Sequence, residues 1–544
     1  MIQPCRPLIA VLAVAAGLAS CSRTKDEAPA AASVAAAKST AQASAPAVEA
    51  GIAWQKALSE ADVDAAFAQA AKANKPVFLY WGAKWCPPCN QLQATLFNRQ
   101  DFIERSRAFV PVYIDGDSPG AQKLGARYKV RGYPTMVMFN AQGAELTRLP
   151  GEVDAVLYTQ VLTLSMNAQR PVTAVLAQAR AGGKGLSAND WRLLAFYSWD
   201  TDEQQLIAKA ELPALLKQIA GACPAEPADV ATRLWLKAVA SAKAAPGAPV
   251  DEAATKRLFR LLGDTAAARA QMDLLGGSAT ELVSALSAPS TAQRSRLLGA
   301  FDTALKSLEA DTSLSRADRL TALYARVELA RIDRPKENIE PVAETLLADV
   351  RAHVAVADRD INDGHERQAV IPFAGYVMQQ AGLLDESDAL LSANLTKSHS
   401  PYYLMSELSS NARKRGDKAG ALRWSEAAFD KSEGPATRLQ WGASHVKTLI
   451  ELSPGDETRI EKAVLGLLDE TARQTNPFYE RSARSWQRIG KGLQSWNKER
   501  NHAAVLQRLQ SRLDTVCAQL PNADPQRGVC EALFKPAPAA KGDT

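Results

Sequence analysis

The chain is 544 residues long, 47% hydrophobic, with a formal net charge of +5. That length supplies apolar material for more than one core, and so small a charge excess does not argue for a nucleic-acid partner. All five histidines lie at or beyond His353, so no histidine is close in sequence to the early cysteines to complete a metal site.

Residues 1–20 read as a secretion signal, in which Arg6 gives a positive start, residues 8–19 are an apolar run too short to span a bilayer, and small residues follow. Leu18-Ala19-Ser20-Cys21 resembles the bacterial lipobox, which implies that Cys21 carries the lipid as first residue of the mature chain. A conventional signal peptide with an incidental Cys21 is the other reading. Acyl chains contribute about 0.8 kcal/mol per buried CH₂, enough for a durable anchor when several are present. Ser22 implies, by the same resemblance, sorting to the outer membrane, facing the periplasm. From residue 22 to 50 the chain is Ala, Ser, Thr, Pro and charge without an aromatic, Leu or Ile residue. Segment 21–50 is therefore expected to be a disordered tether, with a root-mean-square span on the order of 30 Å. No other long apolar run occurs, so no transmembrane helix is expected.

Residues 51–166 form the next expected domain. Helical signals run over 62–74, a strand is predicted over 77–81, and a helix opens at Cys86. Segment 109–114 reads as a strand, although Pro111 inside it demands an unpaired ladder position or a bulge. Segment 122–128 reads as a short helix. Segments 135–139 and 144–149 flank the polar turn Asn140-Ala141-Gln142-Gly143 and make a β-hairpin. A closing helix carries Val153, Leu157, Val161 and Leu164 on one face.

Within this domain, Trp85-Cys86-Pro87-Pro88-Cys89 sets two thiols one helical turn apart directly after an apolar run. A thiol at a helix N-terminus is stabilised as thiolate by unpaired backbone N–H groups and the positive end of the helix dipole. Pro87 fits the first helical position, which has no N–H partner to lose. The spacing favours thiol–disulfide exchange; half of a structural zinc site or an inert disulfide are the alternatives it leaves. A reduced pair in an oxidising, exported setting needs an electron donor.

Over roughly 115 residues the chain resembles the thioredoxin superfamily, most of all its periplasmic disulfide-reductase-like branch. The residues that carry this are Trp85 to Cys89, Lys75-Pro76-Val77-Phe78-Leu79 after an Ala-rich helix, and Gly132-Tyr133-Pro134-Thr135, similar to the family's cis-proline loop. The resemblance implies that Cys86 attacks, Cys89 resolves, and Pro134 with Tyr133, flanked by Trp85, forms a substrate-facing wall. It implies no cofactor and no metal. Where the family has a buried acid, six residues before the first cysteine, this chain has Tyr80, a poor base at neutral pH. Lys84 either favours the thiolate or is a solvated surface lysine.

From 167 to 533 strand signals disappear and helical patterns follow one another: Leu320, Leu323, Tyr324 and Val327; Val342, Leu346, Val350 and Val354; Leu404, Leu408 and Ala412. Breaks are short and polar, at 415–418 and 453–456. This implies an all-α helical-repeat, α-solenoid-like region. Leu408, Gly416-Asp417, Ala421 and Ala428 look like a degenerate tetratricopeptide repeat, but the period fails elsewhere. Trp424, Trp441, Trp486 and Trp496 read as interhelical core, and the histidines as scattered single residues. Cys517 and Cys530 flank a loop they are expected to close as a disulfide, which leaves Cys223 over. Residues 534–544 are expected to be a disordered tail.

The fold class expected is an α/β thioredoxin-like domain followed by a large all-α region. The function expected is a periplasmic, membrane-anchored thiol–disulfide oxidoreductase, a reductase or isomerase of protein disulfides, in which Cys86 is the more exposed thiol and the helices recruit protein substrates. The competing expectation is a helical-repeat interaction scaffold with a thioredoxin-like docking domain.

Overall fold

The computed structural model describes residues 51–535 apart from 150, 152–153, 200–201, 203–204, 243–250, 336–337 and 501. The expected signal segment, Cys21, the tether and residues 536–544 of the expected tail lie outside the described residues.

Five strands, β1 (Gln55–Lys56), β2 (Val77–Gly82), β3 (Val110–Asp115), β4 (Thr135–Phe139) and β5 (Glu145–Leu149), form one sheet in the order β1-β3-β2-β4-β5. β1 and β2 run parallel to β3, whereas β4 is antiparallel to β2 and β5. Helices α1 (Glu60–Ala73), α2 (Pro87–Leu92), α3 (Gln100–Ser106), α4 (Ala121–Arg127) and α5 (Ala155–Met166) connect and cover it, and α2 continues into a π-helical turn, Gln93–Phe97. Alternation along the strands divides the core. Val77, Leu79 and Trp81 point to the face shared with Val63, Ala66 and Leu124, while Phe78 and Tyr80 point to the face packed by Leu92, Phe97, Phe102 and Val161.

Pro111 fits its strand because of where its missing donor faces. The Val110 N–H donates to Pro76 O at 2.9 Å on the β2 side, so position 111 faces β1, whose pairing begins only at Val112. The hairpin turn is held by Asn140 Oδ1, which accepts from the N–H groups of Gln142 and Ala144, with Gly143 at φ 83°. The free edge of β5 is closed by the chain itself. Arg148 O accepts from Ser198 N–H at 3.0 Å, and the buried Arg148 guanidinium donates to Glu145 and to the carbonyls of Tyr128 and Lys129.

Every described element after α5 is helical, so the α/β domain followed by an all-α region is the fold class expected from the sequence. The core does not stop at the expected boundary near residue 166: one apolar cluster runs from Phe78 through Leu162 and Trp191 to Leu234. The helix Arg316–Ala330 buries Leu320, Leu323 and Val327. The break at 415–418 separates Tyr402–Lys414 from Lys418–Lys431, with Gly416 at φ 77° and Asp417 capping Gly420 N–H at 2.8 Å. Trp486 and Trp496 are buried between helices. Cys517 and Cys530 are bonded, with Cα atoms 5.7 Å apart. Cys223 is half-buried and free, and burial pushes its thiol up. Phe534, which the sequence assigns to the tail, is buried against Trp486 instead, because Leu533 and Phe534 fold back onto the helix Glu480–Arg500.

The helical region docks on the end of the sheet that carries the cysteines. Gly434 precedes the helix Pro435–Leu452 and has no side chain to cap it. Asp117, just after β3, caps it from outside: its carboxylate accepts from Thr437 N–H at 2.8 Å and from Thr437 Oγ1–H at 2.6 Å. Gly434 is required there twice over, since its φ is 84° and a Cβ would fall 2.5 Å from Asp117 Cγ.

Candidate active site, a covered dithiol

Cys86 is the N-cap of α2, with Pro87 at the first helical position. Its Sγ accepts from Cys89 N–H at 3.3 Å, and the two cysteines are bonded, Cα to Cα 5.2 Å. Asn90 holds the turn, donating from Nδ2 to Lys84 O at 2.7 Å and to Cys86 O at 2.9 Å. The Tyr133–Pro134 peptide is cis, and Tyr133 O lies 3.5 Å from Cys86 Sγ. When the pair is reduced, this geometry offers the Cys86 thiolate a backbone N–H and the positive end of the helix, while Tyr133 O faces the same sulfur. Cys89 lies a turn inside α2.

The expectation that Cys86 is the more exposed of the two thiols does not hold, since Cys86 and Cys89 are each only 2% exposed. The reason lies in the helical region. Tyr402, Ala428 and Trp441, with Tyr403, Met405 and Phe429, pack against Ala83, Trp85, Cys86 and Cys89 in one apolar cluster. Trp85, expected to face substrate, is enclosed. Its ring stacks on Tyr403 at 5.9 Å, the Arg481 guanidinium sits 4.5 Å over it, its Nε1–H reaches Asp117 at 3.2 Å, and its carbonyl accepts from Gln368 Nε2 at 2.9 Å. The Tyr133 hydroxyl accepts from Gln122 Nε2 at 3.1 Å, and Gln122 Oε1 accepts from Arg481 N–H at 3.0 Å. Trp441, expected as interhelical core, is part of this cover.

The histidines are not all scattered. His365 Nδ1 lies 2.6 Å from Asn90 Oδ1, directly behind the cysteine turn, and its ring is 6.1 Å from that of His399. The two are 34 residues apart in sequence, His365 in the first turn of the helix Gly364–Ala381 and His399 just before the helix Tyr402–Lys414, so only the folding of these helices brings them together. Lys84 faces solvent and pairs with the exposed Glu433 at 3.8 Å, an ion pair that contributes little.

Tyr80 is buried among Trp54, Phe97 and Tyr113, and burial holds its phenol well above the ordinary tyrosine range, so it supplies no base. From the helical region, one carboxyl, Asp318, bonds to the cysteine helix, and others line a cavity beside it. A cavity of about 380 Å³ lies against Pro87 and Pro88, and Asp318, Glu328 and Glu407 line it. Asp318 accepts from Gln91 Nε2 at 2.8 Å and is pushed up by burial. Burial pushes Glu407 up to about 7, with Lys414 opposing weakly.

Residues 63–164 match a family described as a thioredoxin-like domain. Over 106 residues the chain is 33% identical to the thiol:disulfide interchange protein DsbD 1 of Pseudomonas aeruginosa, covering 19% of this chain and 18% of that protein. Over 121 residues it is 34% identical to the thiol:disulfide interchange protein DsbD of Klebsiella pneumoniae, covering 21% of this chain and 20% of that protein. The chain thus spans about a fifth of the length of these curated relatives. Among solved structures, a DsbH oxidoreductase is similar at 21% identity and a TM-score of 0.20, covering 24% of this chain and 96% of that chain.

Glu407 gives the site a pH signature. Its folded-state pKa of about 7 lies above the ordinary value of 4.5, so the folded state holds the proton more tightly and stability falls as pH rises from 4.5 to 7. Glu407→Gln removes that titration. The variant is expected to gain on the order of 1–3 kcal/mol relative to the parent between acid and mildly alkaline pH. Denaturant melts across that range check it; a constant difference would remove the assignment.

Proposed function

We propose that the protein is a thiol–disulfide oxidoreductase of the bacterial periplasm, with Cys86 as attacking and Cys89 as resolving thiol. The observation that carries this is the Cys86 sulfur at the head of α2, between the Cys89 N–H and the carbonyl of the cis Tyr133–Pro134 peptide. Similarity to domains of named interchange proteins supports it. The Cys86 thiolate attacks a substrate disulfide, forming a mixed disulfide and releasing one substrate thiolate. Cys89 then attacks the Cys86 sulfur, closing the internal disulfide and releasing the second. Two electrons pass from the dithiol to the substrate, and an electron donor restores the reduced pair.

Periplasmic proteins with disulfides are the proposed substrates, with Tyr133 and Pro134, joined by Trp85 once the helical cover yields, as the surface they meet. Residues 51–166 are the proposed redox domain and 167–533 a helical-repeat region in which tetratricopeptide-like character is confined to the pair around Gly416. In place of a separate recruiting surface, the helices act as a cover that must yield before a protein disulfide reaches Cys86. Cys21 is the proposed lipid anchor, to the outer membrane. A second reading, an interaction scaffold with a redox-inert docking domain, is favoured by the burial of the dithiol.

Cys89→Ser is expected to accumulate mixed disulfides with substrate proteins, and Cys86→Ser is not. Trapping by Cys86→Ser alone would reverse the roles, and no exchange of the reduced full-length chain with a redox buffer would favour the scaffold. For the anchor, Cys21→Ala is expected to release the chain from the membrane fraction or to block its processing; membrane partitioning and N-terminus both unchanged would remove the lipoprotein reading.

A further inference from the structure

A groove of about 510 Å³ opens beside the covered dithiol, bounded by Trp85, Gly132 and Tyr133 on one side and by residues of the helix Glu480–Arg500 on the other. Half of the residues lining it are cationic, namely Arg131, Arg481, Arg484, Arg488 and Lys491, and none is acidic. Neutralisation from outside the groove is partial. Arg484 pairs with Glu480 at 2.7 Å. The side chain of Arg481, only 8% exposed as a residue, donates to neutral groups, Gln440 Oε1 and Thr437 Oγ1, and the nearby Asp115 carboxyl offsets part of its charge. Arg488 donates to Ser485 Oγ at 3.0 Å, and burial and then the charges of Arg481 and Arg484 hold its guanidinium below the ordinary arginine range. Like charges gathered at a partly desolvated site are costly, and an anion seated among them relieves both repulsion and desolvation.

The position of the groove relative to the chemistry narrows what that anion is. The groove runs along Gly132 and Tyr133, and Tyr133 O is 3.5 Å from Cys86 Sγ. The opposite side of the cysteine turn, at Pro87 and Pro88, faces a cavity lined by Asp318, Glu328 and Glu407. The two approaches to the dithiol therefore differ in charge: cations gather only along the cis-peptide loop, and that approach alone favours a negative group. The nearest sulfur is buried, which suits a peptide-sized partner better than a folded domain.

We propose that this groove is an anion-recognition subsite that seats the carboxylates of a peptide-sized disulfide on Arg481, Arg488 and Lys491 and so presents its sulfurs to Cys86. The inference rests on the exchange chemistry proposed above. The Cys86 thiolate bonds to one sulfur of the seated disulfide as the other leaves as thiolate. Cys89 then displaces the bound sulfur from Cys86, and the dithiol supplies both electrons in a single turnover. Charge-selective attraction acts on the encounter step, so it raises the rate and falls with salt.

The test uses the full chain, reduced with dithiothreitol and freed of it. Oxidation of the Cys86–Cys89 pair is timed with net-negative glutathione disulfide, neutral bis(2-hydroxyethyl) disulfide and net-positive cystamine, at low and high salt. The expected result is that glutathione disulfide outpaces cystamine at least about tenfold at low salt, a preference that collapses at high salt. Reversing two cations, with Arg488→Glu and Lys491→Glu together, is expected to lower the ratio of anionic to neutral rates at least about tenfold. Exchange with all three disulfides without charge preference or salt dependence in the unaltered chain would overturn the subsite and leave the oxidoreductase reading standing. Exchange with none would overturn both, and the salt series needs no variant to fold.

Discussion

One carboxylate ties the redox turn to the helical region. Asp117 accepts from Trp85 Nε1–H, from Thr437 N–H and from Thr437 Oγ1–H, so the residue before Cys86 and the first turn of the helix Pro435–Leu452 share a single acceptor. A helix N-terminus carries partial positive charge and unpaired N–H groups, and a side-chain cap is worth about 1–2 kcal/mol. Here that cap comes from another part of the chain. Leaving the helix uncapped is therefore one part of the cost of moving the cover off the dithiol, beside exposure of the apolar cluster.

The aromatic residues follow from that tie. With the helix Pro435–Leu452 held at Asp117, Trp441 reaches Tyr402 and Tyr403, whose rings close over Trp85 and the cysteines. Arg481 then lies between the Trp85 and Tyr133 rings, at 4.5 and 5.7 Å, and forms the inner end of the cationic groove. Gln368 and His365 fix the far side of the turn through Trp85 O and Asn90 Oδ1. A buried apolar cover stabilises this arrangement, and hydrogen bonds of Gln91, Asn90, Trp85, Asp117 and Gln122 with the helical region fasten it.

Much of the α/β domain was legible because its signals are local. The hairpin shows in Asn140 to Gly143, the strand in the run after Pro76, and the dithiol and its facing loop in Trp85 to Cys89 and Gly132 to Thr135. Even Pro111 announced an open ladder position. The cover was not legible, since its contacts join residues 283 and 320 apart in sequence, such as Gln368 to Trp85 and Thr437 to Asp117. A buried tryptophan on an amphipathic helix looks the same whether it packs on a neighbouring helix or on a distant active site, which is why Trp441 read as ordinary core. Periodicity showed that helices exist and which face is apolar. It carries no information on which solvent-shielded surface that face meets.

The helical region, anchored at Asp117, lies over Cys86 and so sets access to it. The direct measurement is the alkylation rate of Cys86 by neutral iodoacetamide in the reduced full-length chain, with and without Asp117→Ala. If the cover opens transiently, losing about 1.4 kcal/mol of anchoring raises the open population and the rate about tenfold. Equal rates in both proteins, or an unaltered chain already alkylated as fast as an unhindered cysteine peptide, would mean that Asp117 does not hold a cover over Cys86.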